Sequence, residues 1–216
     1  EMNKQEMALG YFQECAAIVP DEPLGQKARF KTAQLYFDRG LYEEAGERYA
    51  DIRDDLSGDV RKEAFVQQII CHYRLGKLGR AEDLLKQFKK EYDDRNAEAK
   101  FLYEEGMFYI NSKDFAKAEK SLKTLASRYD DVPQGARGDL GLARLYVVQT
   151  KTEEALKRLT EIPTKYKDPE IVATAFLNLA DFYYENRALA NTVEAGKQVL
   201  QLTNDRLMRG QALDLL

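Results

Sequence analysis

Alanine returns along this chain at a nearly constant interval: Ala8, Ala45, Ala81, Ala118, Ala155 and Ala195 lie 37, 36, 37, 37 and 40 residues apart. A fixed period of about 20–50 residues is the mark of repeat architectures, in which each unit buries its apolar face only against its neighbours. Each alanine is followed four and seven residues later by Phe12 and Cys15, Tyr49 and Ile52, Leu85 and Phe88, Leu122 and Leu125, Leu159 and Ile162, and Val199 and Leu202. That spacing is one stripe of an α-helix. A second series, Tyr36, His72, Tyr109, Tyr146 and Tyr183, is spaced 36, 37, 37 and 37, and three residues before each stands Ala33, Ile69, Gly106, Ala143 or Ala180. A small residue in four of the five lets two helices approach closely, so a second helix faces the first. Between the two series lie Arg39-Gly40 and Leu75-Gly76, where glycine suits the left-handed end of a helix. Lys113, Thr150 and Arg187 take the glycine's place later, and the last turn, from Asn186 to Asn191, reads as three residues longer.

Composition narrows the partners. The 216 residues carry 33 basic and 37 acidic side chains, a formal charge of −4, with 44% hydrophobic and 32% charged. That balance suits thin layers better than one deep core. No run of Lys or Arg exceeds a pair, which argues against nucleic acid, whose affinity rests on basic side chains displacing counterions. The longest apolar run, Cys15 to Val19, is far short of the roughly 20 residues of a membrane-spanning helix, so no direct membrane span is expected. The first six residues have neither the basic start nor the apolar stretch of a signal peptide. Cys15 and Cys71 are too few for a disulfide framework and lack the paired spacing of a zinc site.

With Gly40, Tyr42, Ala45 and Tyr49 in the pattern, the chain resembles the tetratricopeptide repeat (TPR) family, over nearly its whole length. The resemblance implies an all-α fold, a right-handed α-solenoid superhelix of antiparallel helix pairs. The pairs are expected at 24–57, 58–94, 95–131, 133–167 and 168–204, with an orphan second helix at 1–20 and the start of a further repeat at 205–216. The period near 37 exceeds the family's 34. Tyr92, Tyr129 and Tyr166 close second helices before Asp93-Asp94, Asp130-Asp131 and Lys167-Asp168. A longer repeat closed by an aromatic residue and a helix breaker is similar to TPR proteins of the bacterial cell envelope, which would imply the periplasm or the outer membrane. Because both ends fall inside a repeat and solenoids need polar caps, a piece of a larger protein is expected. Met7 and Phe12, uncovered at one end, would then favour self-association.

Catalytic constellations are missing. Cys71 and His72 are adjacent, and adjacent residues on a helix point about 100° apart, out of reach of each other. The segment from Gly135 to Gly141 has neither phosphate-loop spacing nor a preceding strand, and reads as the close-packed start of a helix. The acidic pairs at helix ends read as solvated turns. The expectation is therefore no enzyme, no cofactor and no metal site.

Function would then lie on the inner face. In the TPR family the inward columns fall three before, one after and four after the small residue of each first helix. Transferred here they are Phe30, Gln34 and Phe37; Val66, Ile70 and Tyr73; Tyr103, Met107 and Ile110; Leu140, Arg144 and Val147; Leu177, Asp181 and Tyr184. Phe30, Tyr103 and Leu140 are expected to be core. Phe37, Tyr73, Met107, Ile110, Arg144, Val147, Asp181 and Tyr184 are the candidate partner-binding groove, with Phe37, Tyr73, Ile110, Val147 and Tyr184 as one apolar strip. Arg144 is the only cation in these columns, so a clamp for a terminal carboxylate is disfavoured, and an apolar-rich segment or amphipathic helix fits better. The function expected is a non-enzymatic scaffold binding a protein or peptide. The alternative is a peptide-sensing segment that controls a catalytic or DNA-binding domain outside this chain.

Overall fold

The computed structural model describes the backbone of residues 2–130, 132 and 134–216, and among them the side chains from residue 6 onward. Asp131 and residue 133, expected boundaries of the third and fourth pairs, lie outside the described residues. The described residues form twelve α-helices and no strand: α1 (Met2–Ile18), α2 (Pro23–Asp38), α3 (Tyr42–Asp55), α4 (Gly58–Arg74), α5 (Leu78–Glu91), α6 (Arg95–Asn111), α7 (Phe115–Arg128), α8 (Ala136–Val148), α9 (Thr152–Lys165), α10 (Pro169–Glu185), α11 (Leu189–Leu202) and α12 (Arg206–Asp214). They fall into two compact units, Glu1–Ala97 and Glu98–Leu216.

Five first helices end in the same way. The residue after the C-cap, Gly40, Gly76, Lys113, Thr150 or Arg187, has a positive φ of 75, 72, 61, 59 or 58°. Its N–H donates to the carbonyl three residues back, and the next N–H donates five back: Gly40 to Phe37 and Leu41 to Tyr36, Gly76 to Tyr73 and Lys77 to His72, and likewise at Lys113, Thr150 and Arg187. This pair of bonds is a Schellman motif, which satisfies carbonyls that the helix itself leaves open. Three non-glycine residues hold the left-handed conformation because both bonds of the motif require it.

The turns also fix the register. Ala45, Ala81, Ala118 and Ala155 each follow the left-handed residue by five, and all are fully buried. Five after Arg187 is Thr192, 1% exposed. Thr192, not Ala195, is therefore the fifth member of that column, and the last turn carries no extra residues. Its hydroxyl donates to the Ala188 carbonyl at 3.2 Å, which makes a polar side chain tolerable there. Gly196 then stands where Tyr49, Leu122 and Leu159 stand earlier. A Cβ on it would meet Leu216 Cδ2 at 3.0 Å.

In the first unit, α2 packs on α1 and α3, and α3 on α4. The core joins Ala33, Ala45, Tyr49, Ile52, Ala64 and Cys71. Phe30 is part of it, edge-on to Tyr49 with ring centroids 5.4 Å apart. In the second unit, α8 packs on α7 and α9, and α10 on α9 and α11. The segment from Gly135 to Gly141 is the helix–helix contact expected of it. A Cβ on Gly138 would lie 2.6 Å from the Ala126 backbone nitrogen, and one on Gly141 2.6 Å from Leu122 Cδ2. Gly106 on α6 faces Leu122 as closely, so that leucine is seated between two glycines.

The closing tyrosines clasp each pair. Tyr92 accepts from Arg61 at 2.6 Å, while Tyr129 donates to Glu98 and Tyr166 to Asp139, both at 2.7 Å. Each bond ties the end of a second helix to the first helix of the same pair.

Candidate interaction groove

In the second unit, α8 and α10 are consecutive first helices with α9 behind them. Beside α8 a cleft of about 450 Å³ opens. Leu140, Val147, Leu159, Phe182 and Tyr103 give it apolar surface, and Arg144, Thr174, Asn178, Asp181 and Glu185 supply the polar groups. The volume lies within the range of about 300–1,000 Å³ usual for ligand clefts. Thr174, Asn178, Asp181 and Glu185 are spaced 4, 3 and 4 residues along α10 and so share one face of it. One wall is mainly apolar and the other polar.

Burial and then the nearby Glu185 raise the Asp181 carboxyl above its ordinary value. Among the described residues no hydrogen bond or ion pair holds Asp181, Glu185 or Arg144. A second cavity of about 450 Å³ lies between α9 and α11 over Phe176, Leu179 and Tyr183, with Glu194 its only charged group.

The eight expected groove residues do not share one environment. Arg144, Val147 and Asp181 line the cleft, and Tyr184 is exposed on α10 beyond its lining. Phe37, in the first unit, is half-buried against Tyr42, ring centroids 5.1 Å apart. Tyr73 and Ile110, each 3% exposed, and Met107, 9% exposed, are enclosed. The expectation of one open apolar strip is corrected at Tyr73 and Ile110, which their neighbours cover, leaving no area for a partner. Tyr103, expected to be core, borders the cleft.

Asp139 was not among the candidates. Only 1% exposed, it accepts from Arg158 at 3.0 Å and from Lys165 and Tyr166 at 2.7 Å. Burial would lower Lys165, yet its bonds to Asp139 and Tyr166 outweigh this and raise it, while burial pushes the Tyr166 phenol up to about 12. The signal was present: Phe65, Leu102, Asp139 and Phe176 are spaced 37, 37 and 37, so one carboxylate interrupts an apolar column. A buried charge supplied with three donors is a structural clasp.

His72 is half-buried with Nδ1 unbonded, and burial, then Arg80 and Lys77, lower its pKa against a smaller opposing effect of Glu43. Among the described residues no group of three metal-ligating side chains converges, and no helix is long and apolar enough to cross a membrane.

The sequence profile of the tetratricopeptide repeat-like domain matches residues 84–215. No match to a curated protein reaches significance. Among solved structures, the chain is similar to one from the APC/C hetero-tetramer Cut9-Hcn1, at 17% identity and a TM-score of 0.56, over 100% of this chain and 39% of that one. It is also similar to BtubC (BKLC) from P. vanneervenii, at 15% identity and a TM-score of 0.56, over 97% of this chain and 92% of that one. The chain thus spans well under half the length of the first. At such identities the likeness shows the fold alone, an all-α solenoid of helix pairs.

Proposed function

The chain belongs to the tetratricopeptide repeat-like domain family, and from that premise we propose that it is a non-enzymatic scaffold that binds a segment of a partner protein in the cleft between α8 and α10. Such folds hold partners on the face of their first helices. The observation that carries the reading is the cleft itself, an opening of about 450 Å³ with apolar surface on one wall and polar groups on the other, among them the carboxylates of Asp181 and Glu185. A single-core protein gains nothing from such an opening, because an unfilled apolar recess forgoes dispersion contacts. The recess also differs from the rest of the expected groove, where Tyr73, Met107 and Ile110 are enclosed.

Selection of displayed peptides against the immobilised chain tests this. The wild type should retain a reproducible set, and Val147→Asp should weaken that set tenfold or more. Val147 is 49% exposed, so the change should leave the helical melting curve in place. Peptides that bind Val147→Asp as well as the wild type would move the interface elsewhere.

A further inference from the structure

The acids of α10 suggest what the occupant is made of. Asp181 and Glu185 stand four residues apart on the cleft-lining face of one helix, and like charges at that spacing repel. Both are exposed and neither has an internal partner among the described residues, whereas three acids of the same unit are held by donors. Glu98 accepts from Tyr129, Asp139 accepts from three donors, and the Ser121 hydroxyl donates to Glu105 at 2.6 Å. Arg144 occupies the corresponding place one repeat earlier, 37 residues before Asp181, and lines the same cleft without pairing to either acid. The lining therefore carries two negative charges and one positive.

We propose, resting on the groove reading above, that the cleft receives a basic-apolar peptide segment: one lysine or arginine held by Asp181 and Glu185, and beside it an aliphatic or aromatic side chain over Leu140 and Val147. A single cation offsets the excess charge and relieves the repulsion along α10. An anionic peptide terminus would face two carboxylates across from its one cation. Asn178 offers an amide donor and acceptor that match one peptide unit of the occupant. Thr174, whose hydroxyl already donates to the Glu170 carbonyl at 2.8 Å, keeps acceptor capacity. Arg144 is then available to donate to the occupant's backbone carbonyls.

The acid pair belongs to this cleft alone. The positions 37 residues before Asp181 and Glu185 are Arg144 and Val148, and those 74 before are Met107 and Asn111. No other first helix of the second unit repeats it, so the charge preference is written into one repeat.

The test uses a positional-scanning library of heptapeptides with acetylated and amidated ends, so that only side-chain charge varies. On the immobilised full chain, lysine or arginine next to Leu, Ile, Phe or Met should be enriched. Replacing that basic residue by glutamine in the best peptide, measured by fluorescence anisotropy, should weaken binding tenfold or more. The double variant Asp181→Asn with Glu185→Gln should weaken the parent peptide by a similar factor and leave the glutamine peptide unaffected, since both changes remove one interaction. Asp181→Lys with Glu185→Lys should select acidic peptides instead. Enrichment of acidic or uncharged peptides by the wild type, or basic peptides indifferent to the double neutral variant, would overturn the charge assignment. In that case sensitivity to Val147→Asp would still uphold the groove. If no peptide is retained, or retained ones ignore Val147→Asp, the groove reading falls and this assignment with it.

Discussion

Replacing Thr150 by glycine should stabilise the protein. Thr150 holds φ at 59° because its N–H and that of Lys151 must reach the carbonyls of Val147 and Tyr146 at 3.0 and 2.8 Å. A left-handed backbone costs an L-residue about 1–2 kcal/mol, and a β-branched one sits at the upper end. Glycine takes the conformation freely but gives the unfolded chain more freedom, which offsets about 0.5–1 kcal/mol. The Thr150 hydroxyl donates only to its neighbour's carbonyl, Gln149 O, at 2.6 Å in an exposed position, so little is lost with it. The balance is a gain of about 0.5–1 kcal/mol, or roughly 1–4 °C in Tm for a chain of this size. Helical signal followed through heat and urea gives the number, and Thr150→Ala, which removes the β-branch but keeps the strain, should fall between. Lys113→Gly and Arg187→Gly should act in the same direction and add, being far apart. A loss of stability in Thr150→Gly would mean that the side chain holds the turn in a way the backbone bonds do not explain.

Gly138→Ala should destabilise by about 1–3 kcal/mol, because its Cβ would come within 2.6 Å of the Ala126 backbone and push α8 off α7; an unchanged melting curve would refute the crossing. His72 has a lowered folded pKa, so its folded state binds fewer protons than the unfolded chain, and the stability it contributes is lost as pH falls below about 6.5. His72→Tyr, which restores the residue type of the column, should flatten stability between about pH 7 and 5, and an unaltered slope would assign the titration elsewhere. For Asp181 the sign is reversed: a raised folded pKa makes the charged form costly, so stability falls as pH rises from the ordinary aspartate value of about 3.9 through the raised folded one. Asp181→Asn should therefore raise Tm slightly near neutral pH and not at low pH, and a lowered Tm at neutral pH would show an internal partner for this carboxylate.

The repeat was legible because helical spacing and turn chemistry recur together. Tyr36, Tyr109 and Tyr146 mark the same turn in successive helices, and the sequence frame placed Lys113, Thr150 and Arg187 at the glycine position before any φ was known. It slipped at the last repeat because an alanine, Ala195, lay close to the expected place, whereas the column was held by Thr192, a residue whose burial depends on a hydroxyl bond that no apolar pattern displays. The candidate site was legible in part. Arg144, Val147 and Asp181, taken from the inward columns that the family resemblance implies, line the cleft. Whether a side chain in such a column stays open depends on its neighbours, and those enclose Tyr73 and Ile110. The cleft itself left no positive signal, because its lining is gathered from four helices, α6, α8, α9 and α10, and not from one column.

The glycine of α8 at this level has a cause in the packing. Gly141 faces Leu122, and a Cβ there would meet the leucine at 2.6 Å, so α8 must carry glycine at this level to seat on α7. Ala143, 2% exposed, is part of the core with Leu159 and Ala175. The two acids of this region then diverge for a physical reason. Asp139 points toward α9, where Arg158, Lys165 and Tyr166 satisfy it, whereas Asp181 points into the opening, where Arg144 does not reach it. A carboxylate whose ionisation is made costlier by burial and by a neighbouring acid, beside a cation it does not contact, adds nothing to stability. It is the arrangement that the proposed basic-apolar segment would complete, by bringing the missing positive charge.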